Sequence, residues 1–104
     1  MVSSFYIRAI EIIKKIPEGK VVTYGQIAKY AGNPRGSRQI ARILHSSSEK
    51  HELLWHRVVN SKGKISFKPG CGFELQKSLL ESEGVIFDKD KKINFVKYSW
   101  KPFD

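Results

Sequence analysis

The chain has one cysteine in 104 residues, Cys71, which excludes an internal disulfide and fits a reducing compartment. Flanked by glycines in "KPGCGF" and away from any histidine in sequence, that thiol reads as inert rather than nucleophilic. Histidines are also few. His45, His51 and His56 stand apart, no Cys/His group has metal-ligand spacing, and neither a metal nor a cofactor is expected. No apolar run approaches the roughly 20 residues that cross a bilayer, so no membrane partner is expected. The start, "MVSSFYIRAIEIIKK", lacks the basic stretch and apolar block of a signal peptide. Acidic residues are short as well: ten Asp and Glu face 19 Lys and Arg, a net charge of +9. On a body this small, such an excess attracts polyanions, unless it serves only as a solvated surface.

What is present is organised. Phe5, Ala9, Ile12 and Ile16 follow helical spacing and predict a helix over 5–16, which "PEGK" breaks. "KVVTY" permits a short extended piece. Thr23 and Gln26 stand three apart, as in a capping box, and open a helix that Gly32 closes. The turn "NPRG" leads to a second helix from about Gly36 to His45, completing a helix-turn-helix pattern. Arg35, Arg38 and Arg42 fall within about 60° of each other around this second helix, opposite Ile40, Ile43 and Leu44. A groove-facing helix requires such a face; a solvated basic face is the alternative. Beyond it, "LLWHRVVNSKGKIS" reads as two extended pieces around a turn. A helix over Phe73–Glu83 follows, with Leu75, Leu79 and Leu80 inward and Gly84 as its stop. The Lys-rich tail suggests a small hairpin or extended segments. No repeat or linker interrupts the chain, so residues 1–104 are expected to form one domain.

Within "LLWHRVVN" an extended backbone over 54–58 would set Trp55 and Arg57 on one side and His56 on the other. Trp55 is either a core residue or a flat surface for a nucleobase, the latter contributing about 1–3 kcal/mol per stacked base. His56 has no Ser or Cys beside it to activate, and a hydrogen-bonded structural role suits it better.

Taken together, "TYGQIAKYAGNPRGSRQIARIL", "LLWHRVVNSKGKIS" and "LLESEGV" resemble the DNA-binding domain of O6-alkylguanine-DNA alkyltransferases, and more closely the alkyltransferase-like proteins. The resemblance spans roughly residues 3–100. It implies an α+β, mostly helical, winged helix-turn-helix-like domain of the alkyltransferase C-terminal type with short strands. It also implies a non-enzymatic sensor that binds O6-alkylguanine in duplex DNA through the minor groove, flips the nucleotide and flags it for nucleotide excision repair proteins. Alkyltransferases carry Pro-Cys-His-Arg-Val where this chain has Leu54-Trp55-His56-Arg57-Val58, which puts Trp55 at the position of the alkyl-accepting Cys. Carried over residue by residue, Tyr24, Trp55, Arg57 and Lys68 would form the lesion pocket. Thr23, Tyr24, Arg35, Gly36, Ser37, Arg38, Ala41 and Arg42 would meet DNA, with Arg38 filling the space of the flipped base and Arg57, His56 and Glu83 bracing the site. The implied protein is a cytoplasmic monomer, nucleoid-associated if bacterial. Four departures stand out: Leu54 for Pro, Ser47 for a bracing Asn, Lys68 for an Arg facing the lesion, and the loop "KPGCG". Two rival readings make different predictions. Residual alkyl transfer would modify Cys71, whereas a sequence-specific helix-turn-helix regulator would prefer particular bases and dimerise, for which the sequence offers no obvious segment.

Overall fold

A computed structural model describes residues 3–102. Helix α1, Ser4–Lys14, starts where the Ser3 hydroxyl accepts the Tyr6 N–H, and buries Ala9, Ile10, Ile12 and Ile13. It stops before Pro17, two residues short of the predicted end, although Ile16 remains buried.

Strand β1, Val22–Thr23, pairs in parallel with β2, Val58–Val59, in the register Val22↔Val58 and Thr23↔Val59. Two residues per strand make a weak ladder, but three of the four are fully buried and cross-linked by core packing. The register brings the start of the helix-turn-helix alongside the end of the Trp-His-Arg run. On the other side of β1, Val21 exchanges backbone hydrogen bonds with Tyr98 and Trp100, so the tail is tied to the same strand.

Helix α2, Tyr24–Tyr30, has the predicted capping box: the Gln26 N–H donates to Thr23 Oγ1 at 3.0 Å and the Thr23 N–H to Gln26 Oε1 at 2.9 Å. Helix α3, Ser37–His51, runs six residues past its predicted end. The serines of "HSSSEK" do not break it because Ser46 and Ser48 return their hydroxyls to the carbonyls of Arg42 and Leu44 four residues back. Ser47 turns inward and meets Tyr6 Oη of α1 at 2.8 Å, and the helix ends where Glu52 adopts a left-handed φ of 53°.

The run Trp55–Arg57 is not extended. It forms a 3-10 turn ahead of β2, so the alternation expected there does not apply. Helix α4, Phe73–Ser82, is also rotated from its prediction: Gln76 and Leu80 are buried, while Leu75 is 56% exposed. Gln76 is inward because its Nε2 donates to the carbonyls of His56 and Val58, both at 2.9 Å. An amide offers two donors where leucine offers none, so hydrogen bonding to the turn decided the register of α4. A bridge between Phe87 and Ile93 and the short helix α5, Phe95–Tyr98, complete the tail. One apolar cluster joins α1, α2 and α3; a second joins Val21, Val59, Leu80 and Val85 to the tail residues Ile93 and Tyr98.

Candidate nucleic-acid interface

Helices α2 and α3 and the segment after β2 enclose a cavity of about 580 Å³, a size that suits a small organic group. Tyr24 comes from the first turn of α2. Ala41, Leu44, His45 and Ser48 form one stripe of α3 at helical spacing. Trp55 closes another side, and Ser66, Phe67 and Gly72 complete the wall. Trp55 and Phe67 meet edge to face, with ring centroids 6.0 Å apart and planes at 81°.

Behind Trp55 lies a charged network. Glu83, just past α4, accepts from Arg57 Nη2 and His56 Nε2, each at 2.7 Å, from Arg57 Nε at 3.0 Å, and from the Gly19 N–H at 3.0 Å. Arg57 also donates to the Ile16 carbonyl at 2.7 Å. Burial pushes the Glu83 carboxyl up, but the hydrogen bonds from Arg57, His56 and Gly19 outweigh it and lower the pKa to about 2. The carboxylate therefore stays ionised and fixes both sides of the 3-10 turn that carries Trp55.

The hydrogen bond between His56 and Glu83 agrees with the sequence expectation, and Tyr24 and Trp55 both line the cavity. Two pocket assignments need correction. Arg57 is buried under the turn, held by Glu83 and Ile16, and does not line the cavity. Lys68 is exposed at the head of the turn that its carbonyl closes with the Cys71 N–H, and it does not line the cavity either.

On the helix-turn-helix, Arg38 and Arg42 are exposed on α3, next to its cavity-lining stripe. Arg35 is exposed too, but sits in the turn before the helix, where Asn33 Oδ1 accepts its N–H. None of the three forms an ion pair among the described residues. The Thr23 hydroxyl is engaged in the cap, and Ser37 is half-buried at the first turn of α3. Gly36, expected to be small for close approach to DNA, is buried. A Cβ there would lie 2.8 Å from Phe5 Cζ and 3.1 Å from the Asn33 carbonyl oxygen, so α1 is what requires the glycine.

Sequence reasoning missed Leu44, His45, Ser48, Ser66, Phe67 and Gly72. The stripe 41–44–45–48 was available from helical spacing once α3 was known to continue; Phe67 had no periodic signal. Cys71 is exposed and outside the cavity lining. Among the described residues there is no cluster of His, Cys, Asp and Glu able to hold a metal ion, and no helix long and apolar enough to cross a membrane.

Residues 4–85 match the family model of the 6-O-methylguanine DNA methyltransferase DNA-binding domain. The chain is 44% identical over 98 residues to a DNA base-flipping protein of Vibrio parahaemolyticus, covering 94% of this chain and 97% of that one. It is 40% identical over 103 residues to alkyltransferase-like protein 1 of Schizosaccharomyces pombe, covering 94% and 95%. The crystal structure of S. pombe Atl1 with damaged DNA containing O6-carboxymethylguanine superposes with a TM-score of 0.82 at 36% identity, over 98% of this chain and 99% of that one.

Proposed function

The chain belongs to the family of the 6-O-methylguanine DNA methyltransferase DNA-binding domain, among its alkyltransferase-like and base-flipping members, and on that premise we propose that it is a non-enzymatic sensor of O6-alkylguanine in duplex DNA. The observation that carries the reading is the adjacency of two features. A cavity with Trp55 in its wall opens between α2 and α3, and the exposed arginines of α3 border the same helix stripe.

The exposed arginines would neutralise phosphates along the minor groove. Extruding a nucleotide costs a few kcal/mol in lost stacking and pairing, and the planar, charged head of Arg38 entering the duplex would offset part of it. Tyr24, at the rim, would crowd the target phosphate and turn the nucleotide toward the cavity. Trp55 would then stand where the family's enzymes carry their acceptor thiolate. An indole offers no comparable nucleophile, so the lesion would be bound and not repaired. The occupied, distorted DNA would flag the site for nucleotide excision repair proteins in the cytoplasm, with the protein acting as a monomer.

The test is a fluorescence titration of the Trp100→Phe variant, in which Trp55 is the one remaining tryptophan, against two duplexes that differ by a single O6-methylguanine. Tighter binding to the lesion with quenched Trp55 emission and unchanged protein mass is expected. Equal binding with unchanged emission would reduce the protein to a general DNA binder. An alkyl adduct on Cys71 would make it an enzyme.

A further inference from the structure

The wall of the cavity carries a chemical bias. No Lys or Arg lines it, and His45 is its one side chain able to become a cation. The Ser48 hydroxyl is turned back to the Leu44 carbonyl and has spent its proton there. Phe67, 42% exposed, stands edge-on to Trp55 and builds an apolar corner with it. The Phe67 side chain also lies against Gly72, whose φ is 113°. A Cβ at Gly72 would lie 3.4 Å from Phe67 Cγ, in ordinary contact, and the left-handed φ is what favours glycine there. The corner is thus held between an indole and a glycine before any ligand arrives, and Lys68, the next residue, remains outside.

We propose that Phe67 is a specificity-determining residue: with Trp55 it forms an apolar corner that takes the O6 substituent, favouring aromatic and apolar groups over acidic ones. The proposal rests on the lesion-sensing reading above. An aromatic substituent gains offset or edge contacts with both rings on top of its removal from water. A carboxylate entering the same corner gives up its hydration without meeting a fixed cation, which burial penalises. Lys68, in place of a planar guanidinium, is exposed and is not among the residues that line the cavity.

The experiment compares four duplexes that differ at one guanine: unmodified, O6-methyl, O6-benzyl and O6-carboxymethyl. Each is titrated against the intact protein and its Phe67→Ala, Phe67→Leu and Phe67→Lys variants, with thermal melts to verify folding. The intact protein is expected to bind the benzyl duplex roughly three- to tenfold tighter than the methyl duplex, in keeping with the worth of an aromatic pair, and the carboxymethyl duplex no tighter than the methyl one. Phe67→Ala should erase most of the benzyl preference. Phe67→Leu, which keeps an apolar wall, should retain part of the preference. Phe67→Lys should improve carboxymethyl binding selectively. A benzyl preference that survives Phe67→Ala would overturn the assignment. So would a carboxymethyl duplex bound most tightly by the intact protein, which would mean that Lys68 swings into the cavity. If the intact protein fails to distinguish any modified duplex from the unmodified one, the sensor reading itself falls and this inference with it. That outcome is separable from the others because it is read as the loss of any difference between modified and unmodified duplexes in the intact protein.

Discussion

Replacing Glu83 by Gln keeps the shape of the side chain and removes the charge on which Arg57, His56 and the Gly19 N–H converge. A carboxyl held at about 2 against an ordinary 4.5 contributes on the order of 3 kcal/mol to folding near neutral pH. An independent argument gives a similar size, since removing one partner of a buried ion pair costs about 3–5 kcal/mol by leaving the other charge uncompensated. The Glu83 side chain is 10% exposed and that of Arg57 11%, so water screens the pair only weakly. For a chain of this size the loss corresponds to a fall of roughly 15 °C in Tm. Urea unfolding of both proteins at several pH values separates this mechanism from generic damage. Because the folded-state pKa is depressed, the contribution is complete above about pH 4.5 and is lost as pH falls toward 2, where the unfolded chain binds the proton more readily. The gap between Glu83→Gln and the parent protein should therefore be wide at pH 7 and narrow steadily below about pH 4.5, since acid converts the parent into a near-isostere of the variant. A gap below about 1 kcal/mol at pH 7 would refute the reasoning, as would one that stays constant down to about pH 2.5.

Two other substitutions probe the helix-turn-helix. Arg38→Ala should weaken binding to lesion and unmodified duplexes alike, by several-fold or more, with no change in Tm because the side chain is exposed; unchanged affinity in a mobility-shift or anisotropy titration would remove Arg38 from the interface. Gly36→Ala should destabilise by about 1–3 kcal/mol through its clash with Phe5 and the Asn33 carbonyl oxygen. A variant as stable in urea as the parent would show that α1 shifts to accommodate the methyl group, since the φ of −91° at Gly36 already permits alanine.

Local signals in the sequence were enough where structure is decided locally. The Thr23/Gln26 box opened α2 as read, because a cap is settled by four consecutive residues and their backbone N–H groups. The apolar spacing of α1 and the Arg38 and Arg42 face of α3 followed from 3.6-residue geometry, whereas Arg35 falls in the turn before the helix. The motif order and the Trp-His-Arg run carried the family, and the pairing of His56 with Glu83 came from that resemblance rather than from spacing. What the sequence could not settle were choices made between distant segments. Three serines in "HSSSEK" have weak helix propensity, yet α3 continues through them, with Ser47 meeting Tyr6 41 residues earlier in the chain. Arg57 reads as a pocket cation until Glu83, 26 residues away, draws it under the turn. Gln76 displaced Leu75 from the inward register of α4 because the carbonyls of His56 and Val58 needed a donor. Phe67 has no periodicity to betray it, and only packing sets it against Trp55 and Gly72. The sequence by itself determined the existence of α1 to α4, the cap of α2, the positive charge and the family. The tertiary structure decided which side chains face the cavity, because satisfying buried charges and carbonyls across long separations outweighed the local preferences of the residues involved.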